Sequence, residues 1–413
     1  MTDTEILLKG HASPEERLEA LKRLDLTREE GAGEWVNNHI HTTYSFSPYT
    51  PAAAVYYAHR AGLSTAGIMD HDSVGGIDEF LKAGEIAHMP VTVGFECRTS
   101  VKATPMEGRR LNNPDQVSVA YVTLHGIPHQ SLPLCEKVLA PLREKRNERN
   151  IKMCEKINSL CTDIGVSLDF YKDVVPLSSF NEGGSVTERH VLFALAVKLS
   201  EGRSREESVN ALKKLCTLSE KNEKRLLSAD DSTFLYDMLG VLKSSLVKKI
   251  YVDAADELMH ITDFVCLAKE TGGICAYAYL GDVGESPTGD KAAQQFEDSY
   301  LEELFMCLRD WGINAVTYMP SRNTKEQLSR VISLCDRYGF FQISGEDINS
   351  PGQSFVCNAM QDYPHLYEAT YALIGHERAA TECLSHGMFS DETVKKMPDL
   401  SDRIKYYAEI GRK

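Results

Sequence analysis

The feature that most constrains the fold is an alternation of strands and helices, which occurs in two separate blocks of the chain. Strands of the first block are predicted at 35–41, 65–70, 90–100 and 117–126, with helices at 51–62 and 77–88. Strands of the second block are predicted at 272–280, 313–320 and 340–344, with helices at 292–311 and 324–338. This alternation is typical of βαβ units and therefore predicts a parallel sheet.

Between these two blocks the pattern is purely helical. Residues 132–270 are rich in Lys, Glu and Leu at helical spacing and contain no convincing strand. A helix with Ser13 at its cap and Pro14 at its first position precedes the first strand. We predict five regions: an N-terminal helical extension (1–34), the first part of an α/β domain (35–131), a helical insertion (132–270), the second part of the α/β domain (271–360) and a C-terminal helical tail (361–413).

Composition limits the partners of the chain. No run of 18 apolar residues occurs, so we expect no membrane span. The net charge of −15 argues against general nucleic-acid binding, because polyanions require basic surface, but it allows a small phosphorylated substrate at a local cationic or metal site. Eleven cysteines without a CxxC pair, and a start without signal-peptide regions, indicate a cytoplasmic protein. Nothing in the sequence indicates an oligomeric state.

Metal-ligand residue types recur at the ends of the predicted strands. In strand order they are His39 and His41, then Asp70-His71-Asp72, Glu96, His125 and Asp347. Side chains two apart on a strand share a face, and the carboxyl ends of parallel strands meet at one edge, so these groups should converge. The alternatives are two exposed histidines entering a loop, and capping or surface roles for His125 and Asp347. Mixed histidine and carboxylate ligands suit Zn, Mn or Fe.

Four segments together resemble the motifs of a known superfamily. In chain order, "HIHTTYS", "GIMDHD", "GFE" and "SGEDIN" are similar to successive motifs of the PHP (polymerase and histidinol phosphatase) superfamily. The resemblance covers residues 36–130 and 271–350. It implies a distorted (β/α)7 barrel with an inserted α-helical subdomain, and a metal-dependent phosphoesterase acting on a small phosphate ester or nucleotide.

The resemblance also implies roles for individual residues. The metal ligands would be His39, His41, His71, Glu96 as a bridging carboxylate, Asp347, and His125 as the candidate for the histidine that follows the glutamate. The segment Thr187–His190 resembles the one that offers Arg and His to the substrate phosphate, which makes Arg189 and His190 candidate catalytic residues. The alternative for this pair is a solvated helix start.

Three positions depart from the family pattern. Phe46 stands where an aspartate ligand is usual, Tyr277 where a histidine is usual, and Asn349 replaces the last histidine. Since Phe46 and Asn349 would have served the same metal as His71, we expect no third metal there. We expect one to two divalent metals (Zn, Mn or Fe). The first would be held by His39, His41, Glu96 and Asp347, and the second by Glu96 and His125 with Tyr277 as a poor third ligand.

Two functions of different classes fit these residues. The first is a metal-dependent phosphoesterase, in which a metal-activated water attacks the phosphate. The second is a non-catalytic PHP-fold module that binds a ligand or partner through a degraded metal centre. The missing ligands favour the module, whereas the intact primary ligand set favours the enzyme.

Overall fold

The structure is a computed structural model that describes residues 2–28, 34–283 and 294–413. Within this part of the chain, eight strands form one sheet. They are β1 (Trp35–Ile40), β2 (Leu63–His71), β3 (Val91–Ser100), β4 (Val119–His125), β5 (Met259–His260), β6 (Ile274–Ala278), β7 (Ala315–Tyr318) and β8 (Phe341–Ser344).

The described residues also form fifteen α-helices. They are α1 (Asp3–Leu8), α2 (Pro14–Arg23), α3 (Pro51–Arg60), α4 (Ile77–Ile86), α5 (Leu132–Leu160), α6 (Glu188–Ser200), α7 (Arg205–Leu215), α8 (Glu220–Ser228), α9 (Asp231–Ile250), α10 (Ile261–Thr271), α11 (Leu301–Trp311), α12 (Lys325–Tyr338), α13 (His365–Glu382), α14 (Asp391–Lys396) and α15 (Leu400–Gly411). None of these helices is long and apolar enough to cross a membrane.

The sheet curves into a nearly closed barrel. Its strand order is β1-β2-β3-β4-β6-β7-β8, and the short β5 pairs with β3 outside this path. The segment after β8 returns to β1, where the amide of His41 donates to the carbonyl of Ile348 at 3.0 Å. The prediction of a distorted seven-strand barrel with helical additions is confirmed.

Strand direction is the main departure from the predicted parallel sheet. β4 runs antiparallel to both of its neighbours, β3 and β6. The physical reason is that no helix connects β3 to β4, and an antiparallel neighbour needs no crossover connection. Two smaller predictions were also wrong. The sequence predicted no strand within residues 132–270, but the short β5 lies there. The helix predicted at 292–311 begins only at Leu301, as α11; the first two residues of that prediction lie outside the described residues.

Apolar residues form separate cores around the barrel. One core packs the outer face of the sheet against helices, as in the contact between Phe95 of β3 and Phe264 of α10, whose ring centroids lie 5.9 Å apart. A second core packs Ile274 and Ala276 of β6 against α13 and α15. Because Ala276 and Ala278 share a face of β6, and Ala278 lines the cleft described below, α13 packs beneath that cleft, and α15 packs against α13.

The helical insertion has its own core. Its buried apolar residues come from the chain between Met153 and Ile250, and Phe46 from the loop after β1 joins them. Helix α10 buries Ile261 and Phe264 in the barrel core instead. We therefore propose that the insertion ends before α10, and that Phe46 links its core to the edge of the barrel.

Candidate metal centre

The barrel edge gathers the predicted ligands into two overlapping groups. Potential ligand atoms of His39, His41 and Asp347 lie within 4.8 Å of one another, and so do those of His41, His71 and Glu96. His41 belongs to both groups. The structure thus brings together five of the six predicted ligands. His39 and His41 lie at the end of β1, His71 at the end of β2 and Asp347 just after β8, whereas Glu96 lies in the middle of β3, level with His71.

Within these groups each carboxylate faces a histidine. His41 Nε2 lies 3.2 Å from Asp347 Oδ1, and His71 Nδ1 lies 3.0 Å from Glu96 Oε2. The imidazole ring centroids of His39 and His71 lie 5.1 and 4.7 Å from that of His41. Imidazole nitrogens and carboxylate oxygens at such spacing form a donor set suited to Zn, Mn or Fe.

The carboxylates also set the protonation of this cluster. Burial lowers the pKa of His39. For His41, burial acts in the same direction, but the carboxylates of Asp347, Glu96 and Asp70 together outweigh it, and the pKa of His41 is raised. The pKa values of Glu96 and Asp347 are lowered, because the neighbouring histidines outweigh the burial that would raise them. Both carboxyl groups are therefore ionised near neutral pH, which is the form that binds a cation.

His125 does not share the site with the other predicted ligands. In the antiparallel pairing of β3 and β4, Glu96 lies opposite Thr123, whereas His125 lies opposite Gly94, two residues deeper in the barrel. The carboxyl end of an antiparallel strand points to the opposite edge of the sheet, so the inference from strand ends fails for β4. Burial lowers the pKa of His125 to about 3, so this side chain is a neutral core histidine. Tyr121, earlier in β4, lines the cleft instead.

Tyr277 also lies away from the ligands. It packs in the core on the outer face of the sheet, while its neighbour Ala278 lines the cleft. Successive residues of a strand point to opposite faces, so a ligand at this position would have to replace Ala278 rather than Tyr277. The expected second metal site of Glu96, His125 and Tyr277 is therefore not assembled, and His71 accompanies Glu96 in its place.

A cleft with a cavity volume of about 220 Å³ opens above the ligand groups, and the insertion forms its other wall. Its charged and polar lining from the insertion comprises Arg146 of α5, Thr187, Glu188 and Arg189 at the start of α6, Lys243 of α9, and Tyr251 just after α9. The cleft thus lies between a barrel edge with metal-ligand groups and a wall that carries cations.

Arg189 contacts Phe46 and Asn349, the two positions at which the resemblance implies a missing metal ligand on this side of the site. Its Nη1 donates to Asn349 Oδ1 at 2.5 Å, and its guanidinium carbon lies 5.9 Å from the centre of the Phe46 ring. Asn349 in turn donates to Asp347. Burial lowers the pKa of Arg189 by more than the Asp347 carboxylate raises it. The guanidinium nevertheless stays protonated, because the pKa of arginine is very high. Within the described residues, Arg189 forms no ion pair with a carboxylate.

His190 has a structural position rather than a place in the cleft. Its Nδ1 accepts from the amide of Thr187 at 3.0 Å, which caps the start of α6, and its ring packs edge-on against Phe46 with centroids 4.9 Å apart. It is not among the residues that line the cleft, and burial lowers its pKa to about 3. A neutral capping histidine is a poor partner for a phosphate.

A buried ion network next to Arg189 was not predicted from the sequence. Glu188 accepts from Arg98 Nη1 at 2.9 Å, from Arg146 Nη2 at 3.2 Å and from Arg149. Arg98 and Arg149 also pair with Glu257, and Arg146 pairs with Asp72. The signal that could have revealed it is the spacing of Arg143, Arg146 and Arg149 in α5, which places three arginines along one face of an otherwise amphipathic helix.

Neither a protein-family model nor a curated protein matches the chain. Among solved structures, an amidohydrolase from Chromobacterium violaceum, solved with bound sulfate and no metal, is 18% identical with a TM-score of 0.54, covering 78% of this chain and 90% of that one. A candidate metal-dependent phosphoesterase from Bifidobacterium adolescentis is 17% identical with a TM-score of 0.52, covering 80% and 95%. At these identities the likeness establishes the fold, and the barrel that the PHP resemblance implies is confirmed.

Proposed function

We propose that this chain, which has the PHP-type barrel fold of a metal hydrolase, is a metal-dependent phosphoesterase that hydrolyses a small phosphate ester or nucleotide. One observation carries the proposal: the cleft sets two groups of metal-ligand side chains opposite Arg189, a partly buried cation with no carboxylate partner among the described residues. A phosphate ester is an anion that needs both kinds of group.

The residues at the barrel edge fit one or two divalent metals of the Zn, Mn or Fe type. His39, His41 and Asp347 would hold one, and His41, His71 and Glu96 offer ligands for a second. Because one imidazole nitrogen binds one metal, His41 can serve only one of the two at a time. Bound metal would supply an acidified water and positive charge for the ester oxygens.

Arg189 would bind the ester from the opposite side. Asn349 takes one donor of its guanidinium. The remaining N–H groups have no acceptor among the described residues, so they can donate to phosphate oxygens. The Phe46 ring limits the movement of the guanidinium and excludes water from that side of the cleft. The capped start of α6, with Glu188 held by three arginines, fixes the backbone that carries Arg189.

Two other functions deserve a direct test. Hydrolysis of an amide would fit the similarity in fold to the amidohydrolase from Chromobacterium violaceum. A neutral amide, however, gives Arg189 no anionic group to bind, so the position of this residue favours a phosphate ester. A non-catalytic binding module would retain the metal without turnover.

One experiment separates these functions. The protein is stripped with a chelator, reloaded with Zn, Mn or Fe(II), and assayed for phosphate release from a panel of mono- and diesters and for amide hydrolysis. We expect turnover of phosphate esters that requires the metal. Turnover of amides alone would establish the amidohydrolase, and full metal occupancy without turnover on either panel would establish the binding module.

We also propose that the protein acts in the cytoplasm. All eleven of its cysteines are free thiols, and most of them are buried. Free thiols in this number are typical of a reducing compartment.

A further inference from the structure

Asp70, the residue before His71, points away from the cleft and into the loop that follows β1. It accepts three hydrogen bonds there: from the amide of Thr42 at 2.7 Å, from Thr42 Oγ1 at 2.6 Å and from Ser45 Oγ at 2.6 Å. All three residues are buried. With donors directed at both of its oxygens, the Asp70 side chain acts as an acceptor only, which is the behaviour of a carboxylate.

This arrangement determines which nitrogen of His41 carries hydrogen. Ser45 has one hydroxyl hydrogen, and it is donated to Asp70. The contact of 3.2 Å between Ser45 Oγ and His41 Nδ1 can then be a hydrogen bond only if Nδ1 is the donor.

The other ring nitrogen is thereby prepared for a cation. His41 Nε2 faces Asp347 Oδ1 at 3.2 Å. In the neutral ring with hydrogen on Nδ1, both of these atoms are acceptors, and two acceptors at this distance attract one another only through a proton or a metal ion between them.

We propose that Ser45 and Asp70 are positioning residues that hold His41 in the tautomer with hydrogen on Nδ1, so that Nε2 is presented to a metal. The inference rests on the metal site in the proposed function, but it is independent of the reaction. Groups behind a ligating histidine that accept its second N–H orient the ring and raise metal affinity. Here the accepting group is a hydroxyl backed by a carboxylate, and that carboxylate belongs to the residue next to a second predicted ligand, His71.

The first test is the tautomer itself, measured by NMR of ¹⁵N-labelled histidine side chains at a pH where His41 is neutral. The metal-free protein carries Asp347→Ala for this test, because the ionised Asp347 carboxylate would otherwise draw the hydrogen to Nε2 in the absence of a metal. In this background we expect hydrogen on Nδ1 while Ser45 is present. Ser45→Ala should shift His41 toward the tautomer with hydrogen on Nε2, since the acceptor for Nδ1–H is gone. Ser47→Ala is the matched control, because Ser47 lies in the same loop and its hydroxyl accepts from the amide of Tyr49 instead.

The second test is metal affinity, measured by competition with a chelator, together with the absorption spectrum of the Co(II)-loaded protein. Ser45→Ala and Asp70→Asn should each weaken Zn binding by roughly 10- to 100-fold and change the Co(II) spectrum, whereas Ser47→Ala should leave both unchanged.

The outcomes separate this inference from the proposed function. Hydrogen on Nε2 of His41 in the Asp347→Ala protein would overturn the inference. An unchanged tautomer in Ser45→Ala would also overturn it. A protein that binds metal and has the expected tautomer but hydrolyses no ester would overturn the proposed function and leave this inference in place.

Discussion

The barrel edge and the start of helix α6 both bury charged groups beside the same cleft, but they neutralise these groups differently. At α6, the three guanidinium groups of Arg98, Arg146 and Arg149 are paired with the three carboxylates of Asp72, Glu188 and Glu257. At the barrel edge, the two carboxylates of Glu96 and Asp347 face three histidines, which carry no permanent charge, and no arginine or lysine among the described residues pairs with them. The charges of the first region are balanced within the protein, whereas the second region can still bind a cation.

Because of this difference, we expect substitutions in the two regions to have different effects. Removing one member of a fully paired buried network leaves a buried charge without its partner, and the cost appears as lost stability. Removing a histidine from a cation-binding group removes a metal ligand, so the main cost is lost metal binding. Arg189 belongs to the insertion, but its charge is not paired with a carboxylate among the described residues. Like the groups at the barrel edge, it can therefore bind an ion from outside the protein.

The largest expected effect is a loss of stability when the ion network at the start of helix α6 is broken. Glu188→Gln should lower the free energy of unfolding by about 3–5 kcal/mol, because three buried arginines lose their shared carboxylate. Urea denaturation of the metal-free protein measures this. Glu201→Gln, at the exposed end of the same helix, removes a surface partner of Lys198 and should cost less than about 1 kcal/mol. Equal losses in the two variants would show that the network is not a stabilising element.

The next effect should be on metal content, with little change in folding. His41→Ala removes the residue shared by both ligand groups, so we expect loss of bound metal by more than about 100-fold in affinity. Its metal-free form should be far more stable than that of Glu188→Gln. Metal analysis after dialysis, with the exposed His11→Ala as control, measures the effect. Unchanged metal content in His41→Ala would contradict the assignment of the site.

The contrast between the two regions also explains what could be predicted from the sequence. The barrel-edge ligands follow strands whose apolar patterns are visible locally, and residues such as His39, His41 and Glu96 converge because neighbouring strands run parallel. His125 was misplaced because the direction of β4 depends on which strands it pairs with, and no local pattern encodes that choice. Tyr277 was misplaced because a shift of one residue moves a side chain to the other face of a strand.

The insertion side was harder to predict for a different reason. Charged residues on helices are usually solvated, so Arg146 and Glu188 look like surface residues until the helices pack together. His190 was assigned to the substrate from a motif resemblance, whereas it caps the helix that presents Arg189. Pairings between residues far apart in the chain, such as Arg98 with Glu257, arise only from tertiary packing.

A smaller effect, on catalysis, is expected at Arg189, and it distinguishes a cation that binds substrate from the arginines that stabilise the fold. Arg189→Ala should lower kcat/KM for phosphate esters by about tenfold or more, roughly 1.4 kcal/mol, because the ester loses the cation opposite the metals. Its stability loss should be well below that of Glu188→Gln. Arg189→Lys should recover part of the activity, since it keeps the charge but not the planar donors.

Lys221→Ala is the control for this prediction, because it removes the same charge from an exposed position of the insertion. Steady-state kinetics on the best ester of the panel measures the difference. If Arg189→Ala matches Lys221→Ala in kcat/KM, Arg189 has no role at the ester and the second wall of the cleft is structural.

The smallest expected effect concerns the side of the cleft where Phe46 and Asn349 hold Arg189. Phe46→Asp combined with Asn349→His should add a weakly bound third metal near His71, because it supplies a carboxylate and an imidazole where a phenyl ring and an amide now contact the guanidinium. Each single change should add less, since it supplies one new ligand instead of two. Phe46 is buried in the core of the insertion, so Phe46→Asp also costs stability, and the gain in metal will be partly offset.

Phe46→Leu is the control for the third metal, because it keeps the side chain apolar while it removes the ring. Anomalous diffraction at the metal edge counts the sites in each variant. A strong third peak beside His71 in the unmodified protein would contradict the prediction, since a metal would then occupy that side of the cleft without the two ligands. If only the double variant gains the peak, the metal-binding part of the barrel edge can be extended as far as Arg189. The guanidinium of Arg189 then lies between the region that binds cations and the region whose charges are paired within the protein.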